Sequence, residues 1–374
     1  MSQAWVVAGH GELRAVDSAA PPPEEQEIVV AVEAAQVPRA HLQPGVTEVP
    51  GWAAVGRVVA AGEQALALLE QRVLVGAIDP CGQCEVCRRG GGTVCPRARH
   101  RGEGGRGTLA TRITVAARWV IPLAEVGLAE PAAADEAPAE ARLRLARCAA
   151  LAGDATLAYT AYARSDLAPK EPVVVLGASP VTRFLVEILL AKGIVPVVVV
   201  LRDATGAESG WVSWLRGRGA QVATVPDPDA PVDAARLHEA RRGIAEALIR
   251  EAPASASPAA DGSALPGRPW RLLATEPAQL ALAAALAGPR ATITAVCASS
   301  SRGADDAARL GPALWQREVS VLGVAAGSPE LILETAALAA RGQLDLAAGT
   351  VVRPVAEAHA QSPDDDTRSL IFTL

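Results

Sequence analysis

The chain has 374 residues, half of them apolar and one-fifth charged. That length favours two domains over one core, and that composition excludes general disorder. Thirty-five Lys and Arg stand against 41 Asp and Glu, a formal charge of −6; a nucleic-acid binder would carry a basic surplus, so no nucleic-acid partner is expected.

The opening residues lack a basic region followed by a long apolar run, and the longest apolar stretch, 195–201, is far too short to span a bilayer. No membrane partner and a cytoplasmic location are expected. In the cytosol, clustered cysteines point to metal ligands before disulfides.

In chain order, residues 5–7 (WVV) and 27–32 (EIVVAV) have strand character and are separated by the turn-forming Pro21-Pro22-Pro23. Residues 56–61, 72–75 and 108–120 add short strands, so the first part is β-rich. Residues 130–163 are alanine-rich and suit helix. A strand at 172–176 (PVVVL), a Gly-containing turn, a helix to Lys192 and a strand at 196–201 then form a β-α-β unit. Its wholly apolar strands suit a parallel sheet covered on both faces. Residues 271–275, 292–298 and 320–324 continue it as candidate strands, giving an α/β, doubly wound second part. Residues 252–269, rich in Ala, Ser, Pro and Gly, suit a surface insertion. Residues 330–341 suit an amphipathic core helix, and Asp364-Asp365-Asp366 a turn before a last strand at 369–374.

Residues 80–96 read PCGQCEVCRRGGGTVCP. Cys81, Cys84, Cys87 and Cys95 form a C-x2-C-x2-C-x7-C set. Two-residue gaps let successive thiolates face one small loop, and Gly90-Gly91-Gly92 lets the chain double back with the fourth. Four thiolates make a closed tetrahedral zinc shell with no position for water, which is a structural site. Disulfides, free thiols and an iron–sulfur cluster are the alternatives.

The cysteine spacing and the β-α-β unit behind it resemble the medium-chain dehydrogenase/reductase superfamily, the zinc alcohol dehydrogenases. The resemblance implies an N-terminal GroES-like β-domain carrying a structural zinc lobe (1–162, with the lobe at 80–96), a Rossmann domain of dinucleotide-binding type (163–325), and a C-terminal return to the first domain (326–374). It also implies NAD(H) or NADP(H) and a second, catalytic zinc, which would polarise an alkoxide or carbonyl from an open coordination site. At the positions implied for its ligands stand Pro38, which has no ligand atom, and Trp52, whose indole cannot ligate zinc. Ala40 and Ala53 replace a hydroxyl proton carrier and a glutamate. Asp154 or Cys148 could supply a third ligand, but one group alone does not hold zinc. His41 is expected on the surface or a cleft rim, with no second ligand nearby. The catalytic zinc is therefore expected to be absent, and the catalytic residues are unassigned.

The turn after PVVVL reads Gly177-Ala178-Ser179-Pro180-Val181-Thr182, and the fingerprint wants glycine at 177, 179 and 182. Ser179 intrudes where backbone should meet a pyrophosphate, and Thr182 replaces the glycine of close helix–strand packing. Ser179-Pro180 still makes a good helix start. Leu201 stands near the place of the ribose-binding acid. Arg202 suits an NADP 2′-phosphate or is a plain surface residue, and Arg183 is expected to face solvent. The candidate cofactor residues are thus Gly177, Ser179, Thr182 and Arg202. Tyr159 and Tyr162 are either a packed i, i+3 pair or a general acid.

Two functions fit these residues. One is a degenerate member that keeps scaffold and structural zinc and acts as a binding or assembly subunit, in a homo-oligomer (dimer or tetramer) or a hetero-oligomer with a paralogue. The other is a zinc-independent NADP(H)- or NAD(H)-dependent oxidoreductase of a small carbonyl, enone or acyl-CoA substrate.

Overall fold

The computed structural model describes residues 2–8, 12–42, 49–102, 107–128, 137–202, 210–225, 234–249, 270–276, 279–296, 314, 316–324, 326–357 and 367–374. The chain divides into two compact units, one formed by Met1–Leu157 with Ala325–Leu374 and the other by Ala158–Val324. The division falls at Leu157, within the continuous helix Asp154–Ser165 that also contains residue 162. The expected insertion at 252–269 and the Asp364-Asp365-Asp366 turn lie outside the described residues.

The first unit is built on a seven-stranded sheet. Its central strand, Glu27–Gln36, is β-branched and alanine-rich and almost wholly buried. One of its edges pairs with Ala53–Ala61 along its length. The other edge is shared, with Arg112–Ala116 opposite residues 27–31 and Ser369–Thr373 opposite residues 34–36. Arg72–Val75 and Val120–Pro122 extend the sheet beyond Ala53–Ala61, and Thr350–Pro354 extends it beyond the C-terminal strand. The C-terminal return is thus a structural part of the first sheet. Ile28, Val30, Val58, Val73, Leu109 and Phe372 lie at its core, all 0–1% exposed. Burial of side chains of this size is worth roughly 1.5–3 kcal/mol each.

The second unit is a six-stranded, all-parallel sheet. Its spatial order is Gln221–Val225, Val197–Arg202, Val173–Leu176, Arg271–Ala274, Thr292–Val296 and Ser320–Val324. In chain order that is 3-2-1-4-5-6, the doubly wound dinucleotide-binding arrangement. Val173–Leu176 is buried along its whole length, as a central strand covered on both faces must be. The helix Pro180–Ala191 follows it, with Phe184, Leu185, Ile188 and Leu189 fully buried.

Candidate functional site

The cysteine lobe is the most fully built site. Cys84 caps the short helix Glu85–Arg88, its Sγ accepting from the Cys87 N–H at 3.5 Å. Gly90 takes the left-handed conformation, and Gly92 lies against the Trp119 ring, where a Cβ would come within 2.0 Å of the indole. The chain thereby doubles back, and the Sγ atoms of Cys81, Cys84, Cys87 and Cys95 all converge within 4.8 Å of one another. Neighbouring sulfurs are 3.5 Å (Cys95–Cys81), 3.8 Å (Cys84–Cys95) and 4.0 Å (Cys81–Cys87) apart. A disulfide needs about 2.05 Å, and all four thiols are free. Zn–S bonds of about 2.3 Å place tetrahedral sulfurs about 3.8 Å apart, so the donor set fits a single zinc ion. A polynuclear iron cluster would need room for several irons and sulfides inside the same ring of thiols.

Backbone N–H groups prepare two of these thiols. The N–H of Gln83 holds Cys81 down to about 6, and the N–H of Cys87 lowers Cys84. Arg118 donates to the Cys81 carbonyl at 3.2 Å and ties the lobe to the sheet. Among the described residues this is the only group of three or more Cys, His, Asp or Glu ligands that converges.

A second set of residues lies around Trp52. Trp52 is 6% exposed, and its ring stands edge-on to His41 at 6.5 Å. His41 is not at the surface as expected. It is 5% exposed, and its Nδ1 accepts from the Gly51 N–H at 3.3 Å. The sequence around it is polar, but Trp52 and Gly102 close over it from distant positions. Gln36, wholly buried, accepts at Oε1 from the Asp154 N–H at 3.3 Å. Asp154 accepts from the Ser369 hydroxyl at 2.6 Å, and burial pushes its carboxyl up to about 6. Gln36 Nε2 and Trp52 Nε1 are buried donors with no hydrogen-bond partner among the described residues. A divalent cation needs convergent lone pairs. Here Pro38 and Trp52 offer none, and the unpaired groups are N–H donors. Cys148 does not join this set: its Sγ donates to the Arg144 carbonyl at 3.4 Å, and burial pushes the thiol up to about 11.

The glycine turn lies in the second unit. Gly177 has φ +128°, and a Cβ there would come within 2.2 Å of Thr275 Oγ1, so glycine is required. Ser179 caps the helix Pro180–Ala191 as expected. Its N–H donates to Thr182 Oγ1 at 3.1 Å, and the Thr182 N–H donates back to Ser179 Oγ at 3.3 Å, a reciprocal capping box. Thr182 does not loosen the helix against the sheet. It is fully buried, and its Oγ1 meets Thr275 Oγ1 at 2.6 Å, while Thr275 bonds the Leu176 carbonyl at 2.9 Å. The Ala178 N–H donates to the Glu276 carboxylate at 2.9 Å. Leu201 is buried; Arg202 ends the strand Val197–Arg202, and its side chain lies outside the described residues.

Arg183, expected in solvent, is 6% exposed. Its guanidinium lies 4.9 Å from the Trp211 ring and 4.1 Å from the Trp214 ring, which are themselves stacked. Tyr159 and Tyr162 form a T-shaped pair at 5.8 Å with the Lys192 ammonium over both rings. Packing accounts for them.

With this geometry in hand, residues 24–125 match the alcohol dehydrogenase GroES-like domain family. A probable alcohol dehydrogenase, AdhA, of Mycobacterium tuberculosis is 27% identical over 244 residues, covering 61% of this chain and 64% of that protein. Residues 24–125 therefore carry a GroES-like domain of the alcohol dehydrogenase type. The match spans slightly less than two thirds of that relative's length. Solved structures agree in fold. Galactitol-1-phosphate dehydrogenase from Escherichia coli superposes with a TM-score of 0.70 at 17% identity, and an alcohol dehydrogenase from Aeropyrum pernix with 0.71 at 18%, each covering the whole of both chains. Among the described residues, no helix is long and apolar enough to cross a membrane.

Proposed function

We propose that the chain is a medium-chain dehydrogenase/reductase that keeps the scaffold and the structural zinc but has given up the catalytic zinc and the open nucleotide turn. It serves in the cytoplasm as a binding or assembly subunit, in a homo-oligomer or beside a paralogue. The observation that carries this reading is the composition around Trp52: Pro38 and Trp52 offer no ligand atom, and among the described residues no three Cys, His, Asp or Glu ligand atoms converge there. His41 and Asp154 do not by themselves complete a three-ligand set. Cys81, Cys84, Cys87 and Cys95 would hold one zinc in a closed shell, which holds the lobe together and offers a substrate no open position.

The turn supports the same reading. Helix N-termini bind diphosphates through free N–H groups, but Pro180 has none, and the N–H groups of Ala178, Ser179 and Thr182 are bonded within the chain. The residues present do not fit a dinucleotide pyrophosphate without rearrangement.

The purified protein should therefore show no NAD(P)-linked oxidation of simple primary or secondary alcohols above background, with or without added zinc. Robust turnover of any such alcohol would overturn the metal-loss reading. Titration followed by nicotinamide fluorescence should give NADH binding weaker than about 100 µM, on the scale where each 1.4 kcal/mol is tenfold. Micromolar binding would restore the second reading, a zinc-independent NADP(H)- or NAD(H)-dependent oxidoreductase. That alternative draws on Asp154, a buried carboxyl that keeps its proton up to about pH 6 and could donate it to a reduced carbonyl.

A further inference from the structure

We infer that Glu276 is a built-in anion that occupies the dinucleotide turn, so the turn is closed by the chain's own carboxylate and not merely weakened by lost glycines. The inference rests on the closed-turn reading above and names the residue that closes it.

Glu276 directly follows Thr275, at the C-terminal end of the strand Arg271–Ala274, the neighbour of Val173–Leu176 in the parallel sheet. Two parallel neighbours end at the same level. The residues leaving the second strand therefore face the turn leaving the first, although 98 residues separate Ala178 from Glu276. The register is held by Leu176 opposite Ala274, the Thr275 N–H on the Leu176 carbonyl at 3.0 Å, and the Thr182–Thr275 hydroxyl pair at 2.6 Å. Within that frame Glu276 Oε1 takes the Ala178 N–H at 2.9 Å and lies 3.0 Å from where a Cβ on Gly177 would be. The glycine thus leaves open, over the start of the helix, a space into which the carboxylate is placed.

The chemistry matches what such a turn recognises. An anion at a helix N-terminus gains from the N–H groups and the helix dipole. A carboxylate already there satisfies that demand. It also repels a diphosphate electrostatically, most strongly where water is scarce. Ser179 and Thr182 bond each other's backbone, so the N–H groups of Ala178, Ser179 and Thr182 are all engaged within the chain. An incoming pyrophosphate must displace Glu276 before it can be held.

The test is a titration of the full-length zinc-loaded protein and three variants, Glu276→Gln, Glu276→Ala and Ser179→Gly, with NADH, NADPH and inorganic pyrophosphate. Nicotinamide fluorescence reports the first two, and the ligand-induced shift in melting temperature reports all three. Glu276→Gln keeps an oxygen for the Ala178 N–H, so the turn should hold its shape while losing the charge. It should bind pyrophosphate and at least one dinucleotide about tenfold or more tighter than the unmodified protein. Glu276→Ala should gain at least as much, and Ser179→Gly with Glu276 intact should gain little. If the unmodified protein and both Glu276 variants bind equally poorly, the Glu276 inference fails while the closed-turn reading stands. If Ser179→Gly alone restores binding, the side chain at 179 and not Glu276 is the block. If the unmodified protein binds NADH at micromolar concentration, both readings fail together.

Discussion

Cys84→Ser protein should lose its zinc on dialysis, with metal content falling from about one per chain to near zero because a neutral hydroxyl replaces one of four thiolates. The substitution separates the metal from the local fold. Serine is a good helix cap and can take over the bond that Cys84 Sγ makes to the Cys87 N–H, so the start of Glu85–Arg88 is not lost by the same change. What is lost is the shell. Structural zinc sites in small peptides are worth about 10–16 kcal/mol of apparent free energy at neutral pH. This lobe contains only very short helices, Glu85–Arg88 and Gly92–Val94, and few buried side chains of its own. Hydrogen exchange across residues 80–98 should therefore become fast. Exchange in the strands Glu27–Gln36 and Ala53–Ala61 should change little, because those strands are held by ladder bonds and a core that owe nothing to the sulfurs. Elemental analysis decides the matter. Unchanged zinc in Cys84→Ser would remove Cys84 from the shell, and two tightly held zincs in the unmodified protein would overturn the loss of the catalytic metal.

The second unit was more legible in the sequence than the first, for a physical reason. Val173–Leu176 and Val197–Arg202 are central strands buried on both faces, so their apolar runs stand out without any partner being known. Five strands were missed, two of them the short pair Ile78–Asp79 and Arg99–His100 that flanks the cysteine lobe. Gln221–Val225 is an edge strand, mostly half-buried, and its QVATV, though β-branched, lacks the continuous apolar run of the central strands. Leu13–Asp17 is mainly exposed and exists through its pairing with Gln3–Val7. Thr350–Pro354 ends in proline and is paired along one edge by the returning C-terminal strand.

The site divides in the same way. The four cysteines sit within fifteen residues and their spacing alone announces the shell. His41, Arg183 and Glu276 owe their roles to residues distant in the chain: Gly102, the Trp211–Trp214 stack and Ala178 respectively. Nothing local distinguishes a glutamate that will face a helix start 98 residues earlier from one that will face water. The one available signal was topological, since Glu276 stands two residues beyond the end of the strand that neighbours the turn-bearing strand in a 3-2-1-4-5-6 sheet.

The contribution of Asp154 to the stability of the first unit should fall as pH rises from about 4 to above 6, and Asp154→Asn should remove that contribution. Asp154 joins the start of the helix Asp154–Ser165 to the C-terminal return, through the Ser369 hydroxyl at 2.6 Å. Burial pushes its carboxyl up to about 6, and the Ser369 hydrogen bond offsets part of that push. In the unfolded chain the same carboxyl titrates near 3.9. The folded state therefore binds more protons than the unfolded state between these values, and stability declines with increasing pH across that window. Below about pH 4 the group is neutral in both states and costs nothing. Above about pH 6 the folded protein must bury a charge, at a cost on the order of 3 kcal/mol from a shift of about two units at 1.36 kcal/mol each. Asparagine is neutral throughout and its Oδ1 can still accept from Ser369. The variant's unfolding free energy minus that of the unmodified protein should thus rise by about that amount between pH 4 and pH 7.5. Denaturant unfolding followed by hydrogen exchange in the strand Ser369–Thr373 reads this difference where the bond is made. A difference that stays flat across the window would mean that Asp154 is ionised and compensated in the folded protein. It could then not act as the proton donor that the zinc-independent reading requires.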